Sequence, residues 1–272
     1  MSKTVFITGA SSGIGKATAL YFQQHGWQVA ATMRKTRDGA DLAALPGVCV
    51  YELDVTDRGS IATAVAQALV DFKRIDVLIN NAGYGLAGPF ELATEAMIMR
   101  QFDTNLFGVF RTTSALLQHL RENGGGVIIN VTSIGGLVTL PFNSIYHATK
   151  FGLDGYSTSL NYELNPFGIQ VKVVAPGGVA TDFATRSLEL TAPAEDAGLY
   201  KNALEKVLAR FSANVPNYSS GEQIASVIYE AATDNKPQLR YLAGEDAKAL
   251  YSGYTSGGAD VFFEQVKANF NQ

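Results

Sequence analysis

Tyr146-His147-Ala148-Thr149-Lys150 sets a phenol and an ammonium four residues apart. In a helix, positions i and i+4 share a face, so the two groups would stand side by side. A free tyrosine ionises near pH 10, too high for efficient proton transfer at neutrality. A fixed cation ~4 Å away, at an effective dielectric of ~20, favours the phenolate by up to ~4 kcal/mol, roughly three pKa units. A tyrosine poised in this way can give or take a proton at a carbonyl or alcohol oxygen. The spacing by itself fits an exposed helix pair equally well, worth about 0.3 kcal/mol. Whether it does chemistry depends on what the rest of the chain brings to it.

Two further polar residues are candidates for the same place. Ser133 follows an apolar run at Val127–Val131 and can donate to a carbonyl oxygen; its plain reading is a turn serine. Asn105 falls inside an expected helix, three residues after Phe102. A buried amide needs partners, so Asn105 is either a satisfied core group or the holder of a water near Lys150.

The elements that must position these groups alternate. Strands are expected at Val5–Thr8, Val29–Met33, Val48–Leu53, Val77–Asn80, Val127–Val131, Val171–Ala175 and Leu239–Leu242. Helices are expected between them. The first has Ala17, Leu20 and Tyr21 on its inner face and stops at Gly26. One at Ser60–Phe72 carries Ile61, Val65 and Leu69 at helical spacing. A long helix runs Thr94–Leu120, with Phe102, Leu106, Val109 and Phe110 inward. The Tyr146 helix stops at Asn165-Pro166-Phe167-Gly168, and another spans Gln223–Ala232. This is the pattern of a parallel, doubly wound α/β sheet of about seven strands with helices on both faces. Ligands of such sheets bind beyond the carboxyl ends of the strands, at the switch point. Every motif named here follows a strand end or opens the next helix.

The first strand runs into Thr8-Gly9-Ala10-Ser11-Ser12-Gly13-Ile14-Gly15. Glycines there allow a tight turn and let a pyrophosphate approach the amides of a helix N-terminus. Their spacing is G-x-x-x-G-x-G rather than G-x-G-x-x-G. At the end of the second strand an acidic residue would accept from the ribose hydroxyls of NAD, and an Arg would suit the 2′-phosphate of NADP. Thr32-Met33-Arg34-Lys35 offers no carboxylate and two cations, which favours NADP(H) over a merely solvated loop. Asp54 can accept from an adenine amino group or cap a helix, and Asp57 fits the capping role better. Asn80-Asn81-Ala82-Gly83 is a turn whose glycine permits close approach to a ribose.

Composition removes several classes. With 272 residues and 47% hydrophobic content the chain can bury one large α/β core, expected as a single domain over 1–272. A net charge of −4 makes it a poor electrostatic partner for nucleic acid or anionic lipid. The single Cys, Cys49, allows no internal disulfide and suits a reducing, cytoplasmic setting. His25, His119 and His147 show no metal-ligand spacing, so no metal is expected. No apolar run reaches the ~18 residues of a membrane span. Met1–Ile7 runs straight into a strand, unlike a signal peptide.

Taken together, Thr8-Gly9-x-x-x-Gly13-x-Gly15, Asn80-Asn81-Ala82-Gly83, Asn105, Ser133, Tyr146-x-x-x-Lys150 and Pro176-Gly177 resemble the short-chain dehydrogenase/reductase family, in family order over about residues 3–182. The resemblance implies a Rossmann-type domain and an Asn105-Ser133-Tyr146-Lys150 tetrad. It makes Tyr146 the general acid/base and Ser133 the polariser of the substrate oxygen. Lys150 would bind the nicotinamide ribose and lower the Tyr146 pKa, and Asn105 would anchor a water in a proton relay. It also implies cofactor contacts from Gly9, Ser11, Ser12, Gly13, Ile14, Gly15, Arg34, Lys35, Asp54, Val55, Asn81, Ala82, Gly83, Pro176, Gly177, Val179 and Thr181. Leu140-Pro141-Phe142-Asn143 through Phe151-Gly152, with Asn165–Gly168, looks in addition like the hydroxysteroid and retinol branch. Gly178 departs from the bulkier residue of many relatives, which would loosen the loop over the cofactor.

Residues 184–220 break the strand–helix rhythm and read as a substrate lid rich in apolar and aromatic residues, Leu188, Leu190, Tyr200, Leu204, Phe211 and Tyr218 among them. With Tyr84, Ser133, Leu137, Val138 and Phe142 they suggest an apolar substrate; packing on the domain explains the lid residues as well. A helical tail is expected over 246–272. The expected activity is an NADP(H)-dependent interconversion of an apolar ketone or aldehyde and its alcohol, in a homodimer or homotetramer. The rival is a non-catalytic NADP(H)-binding redox sensor acting through a protein partner, which would need no acid/base set.

Overall fold

The computed structural model describes residues 2–180 and 187–271. From the N-terminus, β1 (Thr4–Ile7) leads through the glycine loop to α1 (Gly13–Gln24), and β2 (Gln28–Met33) to the short α2 (Ala40–Ala43). Then come β3 (Val48–Glu52), α3 (Arg58–Phe72), β4 (Val77–Asn80), β5 (Gly85–Ala87), α4 (Glu95–Phe102) and α5 (Gly108–Glu122). The second half holds β6 (Gly126–Val131), α6 (Ser144–Leu164), β7 (Ile169–Pro176), β8 (Leu188–Leu190), α7 (Lys201–Asn214), α8 (Gly221–Thr233), β9 (Arg240–Ala243) and α9 (Glu245–Asn271).

Seven strands form one parallel sheet in the order β3-β2-β1-β4-β6-β7-β9. The order reverses between β1 and β4, which is the switch point of a Rossmann-type sheet. Side chains alternate across the pleat. Val5, Ile7, Val29, Ala31, Val77, Ile79, Ile129 and Val174 point into one core, closed by Phe22 of α1 and Ile224 and Ile228 of α8. Phe6, Ala30, Leu78, Ile128 and Val171 point into the other, closed by α3, α5 and the Leu160–Leu164 turn of α6. Both faces are covered, which is why the strands read as near-continuous apolar runs.

Local signals set most element ends. The Asp57 carboxylate accepts from the amides of Gly59 and Ser60, capping α3 as expected. Ser220 and Gln223 make a reciprocal capping box on α8. After α6, Pro166 and the left-handed Gly168 (φ 72°) turn the chain into β7.

Two expectations are corrected, and one feature was not anticipated. The buried face of α1 is Gly15, Thr18, Ala19 and Phe22, while Ala17, Leu20 and Tyr21 are only half-buried. Gly15, on the buried face, packs directly against Gly9 and Asn81, with no room for a side chain. The helix expected over Thr94–Leu120 is interrupted by a wide turn at Asp103–Phe107, where the Gly108 amide bonds back to Asp103 O, and Asn105 lies in it. A second, two-stranded parallel sheet pairs β5 with β8, Gly85 opposite Leu188. Its three-residue strands carry no periodic signal and lie about a hundred residues apart.

Candidate active site

The glycine loop leaves β1 at the switch point. Gly9 and Gly13 have φ of +70° and +55°, which side chains rarely adopt. A Cβ on Gly9 would lie 2.9 Å from Ala82 Cα, and one on Gly15 2.5 Å from Asn81 Nδ2. Ser12 does not cap α1 with its side chain, so the first amides of that helix are left to another acceptor. Ser11, Ser12 and Ile14 are half-buried along the loop. A backbone cradle that a single Cβ would fill, open at a helix N-terminus, fits a dinucleotide pyrophosphate.

Asn81 holds this cradle. Its Nδ2 donates to Thr8 O (3.0 Å) and Gly9 O (3.1 Å). The amides of Asn81 and Ala82 both donate to the Thr8 hydroxyl oxygen. The Asn81 side chain thus ties two strand ends together. Beneath it, buried Asn80 donates to Asn130 and Thr113, and Asn130 to Ser157 of α6. Sequence reasoning missed Asn130, Thr113 and Ser157, which look like ordinary strand and helix residues.

Beside the loop, the Ala10 amide donates to Thr32 O (2.9 Å), bringing the end of β2 to the cradle. Arg34 and Lys35 follow, both exposed, and Arg37 adds a third exposed cation that sequence reasoning passed over. Asp54 is half-buried, and its Oδ1 accepts from the amide and hydroxyl of Thr56, a tight local turn. Val55 is buried against Gly108, so only its backbone faces outward.

Ser133, Tyr146 and Lys150 come together at the carboxyl edge of the sheet, where β6 ends and α6 begins. Ser133 Oγ accepts from the Gly135 amide (3.0 Å) and stands near enough to the Tyr146 phenol to act on its ionisation. Lys150 is buried; its Nζ donates to Val131 O (3.0 Å) and lies 5.8 Å from the Tyr146 ring centroid. Burial pushes its ammonium down to about 8. Burial likewise raises the Tyr146 phenol above its ordinary value, and the nearby Ser133 hydroxyl only partly opposes this. The expected lowering of Tyr146 by Lys150 is not the direction here: the loss of water around the phenol sets an upward shift.

Asn105 grips Tyr84, accepting from its amide (3.0 Å) and donating to its carbonyl (2.8 Å), and also donates to Thr149 Oγ1 at 3.4 Å. Its amide thus shapes the turn through Gly83, whose Cβ would lie 3.1 Å from Asn105 Oδ1. Both Nδ2 hydrogens are engaged, while Oδ1 keeps a second lone pair that a water would fit.

On the far side, Pro176 closes β7 and the Gly177 amide donates to Ala243 O (3.0 Å). Val179 bridges to Ser219. Thr181 lies outside the described residues. The loosening expected from Gly178 is not what the fold does. The Gly178 amide donates to the Asp246 carboxylate, its carbonyl accepts from Ser219, and the Tyr218 ring occupies the space beside it.

Of the substrate candidates, Phe142 is half-buried with φ 59° and meets Tyr200 edge to face. Leu188 is half-buried in β8, beside the Tyr84 turn, and Leu137 is half-buried against α9. Arg100 reaches the Tyr84 hydroxyl and pairs with Glu189. Val138 is corrected: it is buried against Ala247 and Phe262 of α9 and forms core there, not a cleft wall. His147 faces the same loop, with Nδ1 accepting from the Leu140 amide (3.4 Å). Among the described residues no helix is long and apolar enough to cross a membrane.

The family model described as short chain dehydrogenase matches residues 3–190. The chain is 36% identical to a 3-ketodihydrosphingosine reductase of Bacteroides thetaiotaomicron over 91% of its length and 90% of that protein. It is 37% identical to retinol dehydrogenase 8 of Bos taurus, over 88% of this chain and 80% of that one. A short-chain dehydrogenase structure from Streptomyces avermitilis superposes with a TM-score of 0.87 at 32% identity, covering 98% of this chain and 97% of the other. The matched span runs from the glycine loop through the Tyr146 helix and beyond, and on that ground the chain belongs to the short chain dehydrogenase family of oxidoreductases.

Proposed function

We propose that the protein is an NADP(H)-dependent oxidoreductase that interconverts an apolar ketone or aldehyde and its alcohol. The observation that carries this is the convergence of Ser133, Tyr146 and Lys150 at the edge where the glycine cradle opens. Gly9, Gly13, Gly15 and the first amides of α1 would hold the pyrophosphate; Arg34 and Lys35 would meet a 2′-phosphate, with Arg37 beside them paired to Asp38 at 3.9 Å. Lys150 is placed to hold a ribose hydroxyl. When bound, the nicotinamide supplies or takes the hydride.

The rest is done by side chains. Ser133 donates to the substrate oxygen and fixes its direction. Tyr146, whose raised pKa keeps it protonated at neutrality, gives its proton to the oxygen as charge develops there. In the reverse direction the phenolate takes that proton back. Residues 184–220, with Tyr84, Leu137, Phe142 and Leu188, are assigned to the apolar substrate side. Two relatives whose names denote a long-chain ketone reductase and a retinol dehydrogenase support an apolar substrate.

The test is a panel of ketones and aldehydes followed by loss of NADPH absorbance, with Tyr146→Phe as the control. Removing a positioned proton donor should lower kcat by ~10²–10⁴-fold while NADPH affinity is kept. Near-normal turnover by Tyr146→Phe overturns the assignment and favours the non-catalytic sensor.

A further inference from the structure

The Pro176–Val179 turn is held from below by the C-terminal helix. Asp246, in the first turn of α9, accepts from the Gly178 amide through Oδ2 at 2.6 Å. Its Oδ1 is buried and has no hydrogen-bond partner. The carboxylate is walled in by main chain. A Cβ on Gly177 would collide with both of its oxygens, and one on Gly244 would lie 2.6 Å from Oδ1. From the other side Gly178 meets the Tyr218 ring, which a Cβ there would strike. Ser219 completes the frame, donating to Gly178 O (3.1 Å) and accepting from the Ala180 amide (2.8 Å).

The absence of a side chain at 178 therefore serves a tight fit among three elements. Stability does not explain the carboxylate. One charge-assisted hydrogen bond gained and one buried oxygen left unpaired are contributions of similar size and opposite sign. What the arrangement does achieve is geometric: the Gly178 N–H vector, and with it the path of the turn, is set by a residue of α9. The same helix packs Ala247, Leu250, Tyr251 and Tyr254, joined by Phe262 from beyond the kink at Gly258, against Ile134, Leu137 and Val138, the segment that follows Ser133. One helix thus supports the turn after β7 and the segment after β6.

We infer that Asp246 is a positioning residue that sets the 176–179 turn in the shape receiving the nicotinamide half of the cofactor. The inference rests on the dinucleotide reading above. It makes α9 part of the cofactor site's support, although none of its residues is assigned to touch the cofactor.

The test compares Asp246→Ala, Asp246→Asn and Gly178→Ala with the unmutated protein. Three quantities are measured: affinity for NADPH by fluorescence, affinity for adenosine 2′,5′-bisphosphate, which carries only the adenine end, and amide exchange of residues 177–180 without nucleotide. Asp246→Ala should weaken NADPH by about tenfold or more. The adenosine bisphosphate should bind as before, and exchange at Gly178 should accelerate. Asp246→Asn keeps an acceptor and should recover most of the loss. Gly178→Ala, pushed off Tyr218, should weaken NADPH with the same selectivity and gives a reading should Asp246→Ala not fold. Equal weakening of both ligands, unchanged exchange, or an Asn variant no better than Ala overturns the inference. An unmutated protein that binds neither NADPH nor NADH would instead sink the dinucleotide reading, and the inference with it.

Discussion

The Lys150 ammonium lies 5.8 Å from the centroid of the Tyr146 ring and donates to Val131 O at 3.0 Å. The pair shares a helix face, as i and i+4 residues must. The lysine stem nonetheless carries its charge across to the end of β6 and into a buried position, where desolvation lowers its pKa to about 8. A second consequence of burial is a phenol held in its protonated form.

A pH dependence follows from Lys150. Below about pH 8 the ammonium is charged and binding an anionic cofactor needs no proton; above it a proton must be taken up. NADPH affinity should be flat from pH 6 to about 8, then fall by up to about tenfold per pH unit. Fluorescence titrations from pH 6 to 10 check this. Lys150→Met should bind more weakly and lose the bend, and a bend that survives in this variant assigns it elsewhere.

Cofactor choice is read from Arg34, Lys35 and Arg37. Arg34→Asp should lower kcat/KM for NADPH by about tenfold or more, since one charged contact to phosphate is replaced by repulsion. Activity with NADH should hold or rise. Equal use of NADPH and NADH by the unmutated protein would contradict the assignment.

Asn81→Ala removes the clamp on the glycine loop and leaves Thr8 O and Gly9 O without their Nδ2 partner. The fold should lose about 1–3 kcal/mol in urea unfolding. Dinucleotide affinity should drop as well, because the cradle's shape depends on that bond. Loss of stability with unchanged affinity would restrict Asn81 to the fold.

His147 should make the protein acid-sensitive. It is 6% exposed, and burial pushes its imidazole down to about 4 from 6.5. Between those values the unfolded chain binds the proton and the folded one does not, so stability falls as pH falls from 6.5 towards 4. The loss amounts to about 3 kcal/mol. Urea midpoints across pH 4.5–7 should show it, and His147→Gln, which cannot titrate, should flatten that slope.

Assembly is expected through α5 and α6. Phe151 and Tyr162 stand on one stripe of α6, 41% and 78% exposed, with Phe107 at the start of α5 also exposed. Burying such a face in a symmetric contact is the common solution. Light scattering at micromolar concentration should return a dimer or tetramer mass, reduced by Phe151→Asp with Tyr162→Asp; a monomer mass for the unmutated protein counts against it.

Elements whose signals are local were legible in the chain itself. Alternating strands and helices, the glycine turn at Gly9–Gly15, the Asp57 cap and the Pro166–Gly168 stop each rest on a few neighbouring residues, and the fold contains them. The gathering of Ser133, Tyr146 and Lys150 followed from strand ends sharing one edge of a parallel sheet. Other features depend on partners far along the chain. The clamp on the glycine loop comes from Asn81, 73 and 72 residues on from Thr8 and Gly9, and the hold on Gly178 from Asp246, 68 residues on. Buried Lys172 is matched by Asp234 and Tyr241, which no spacing rule connects to it. The direction of the Tyr146 shift belongs to the same group. Helical spacing sets which residues share a face, but the balance between a nearby cation and the loss of water is set by everything packed around the pair. Only the tertiary structure decides that balance.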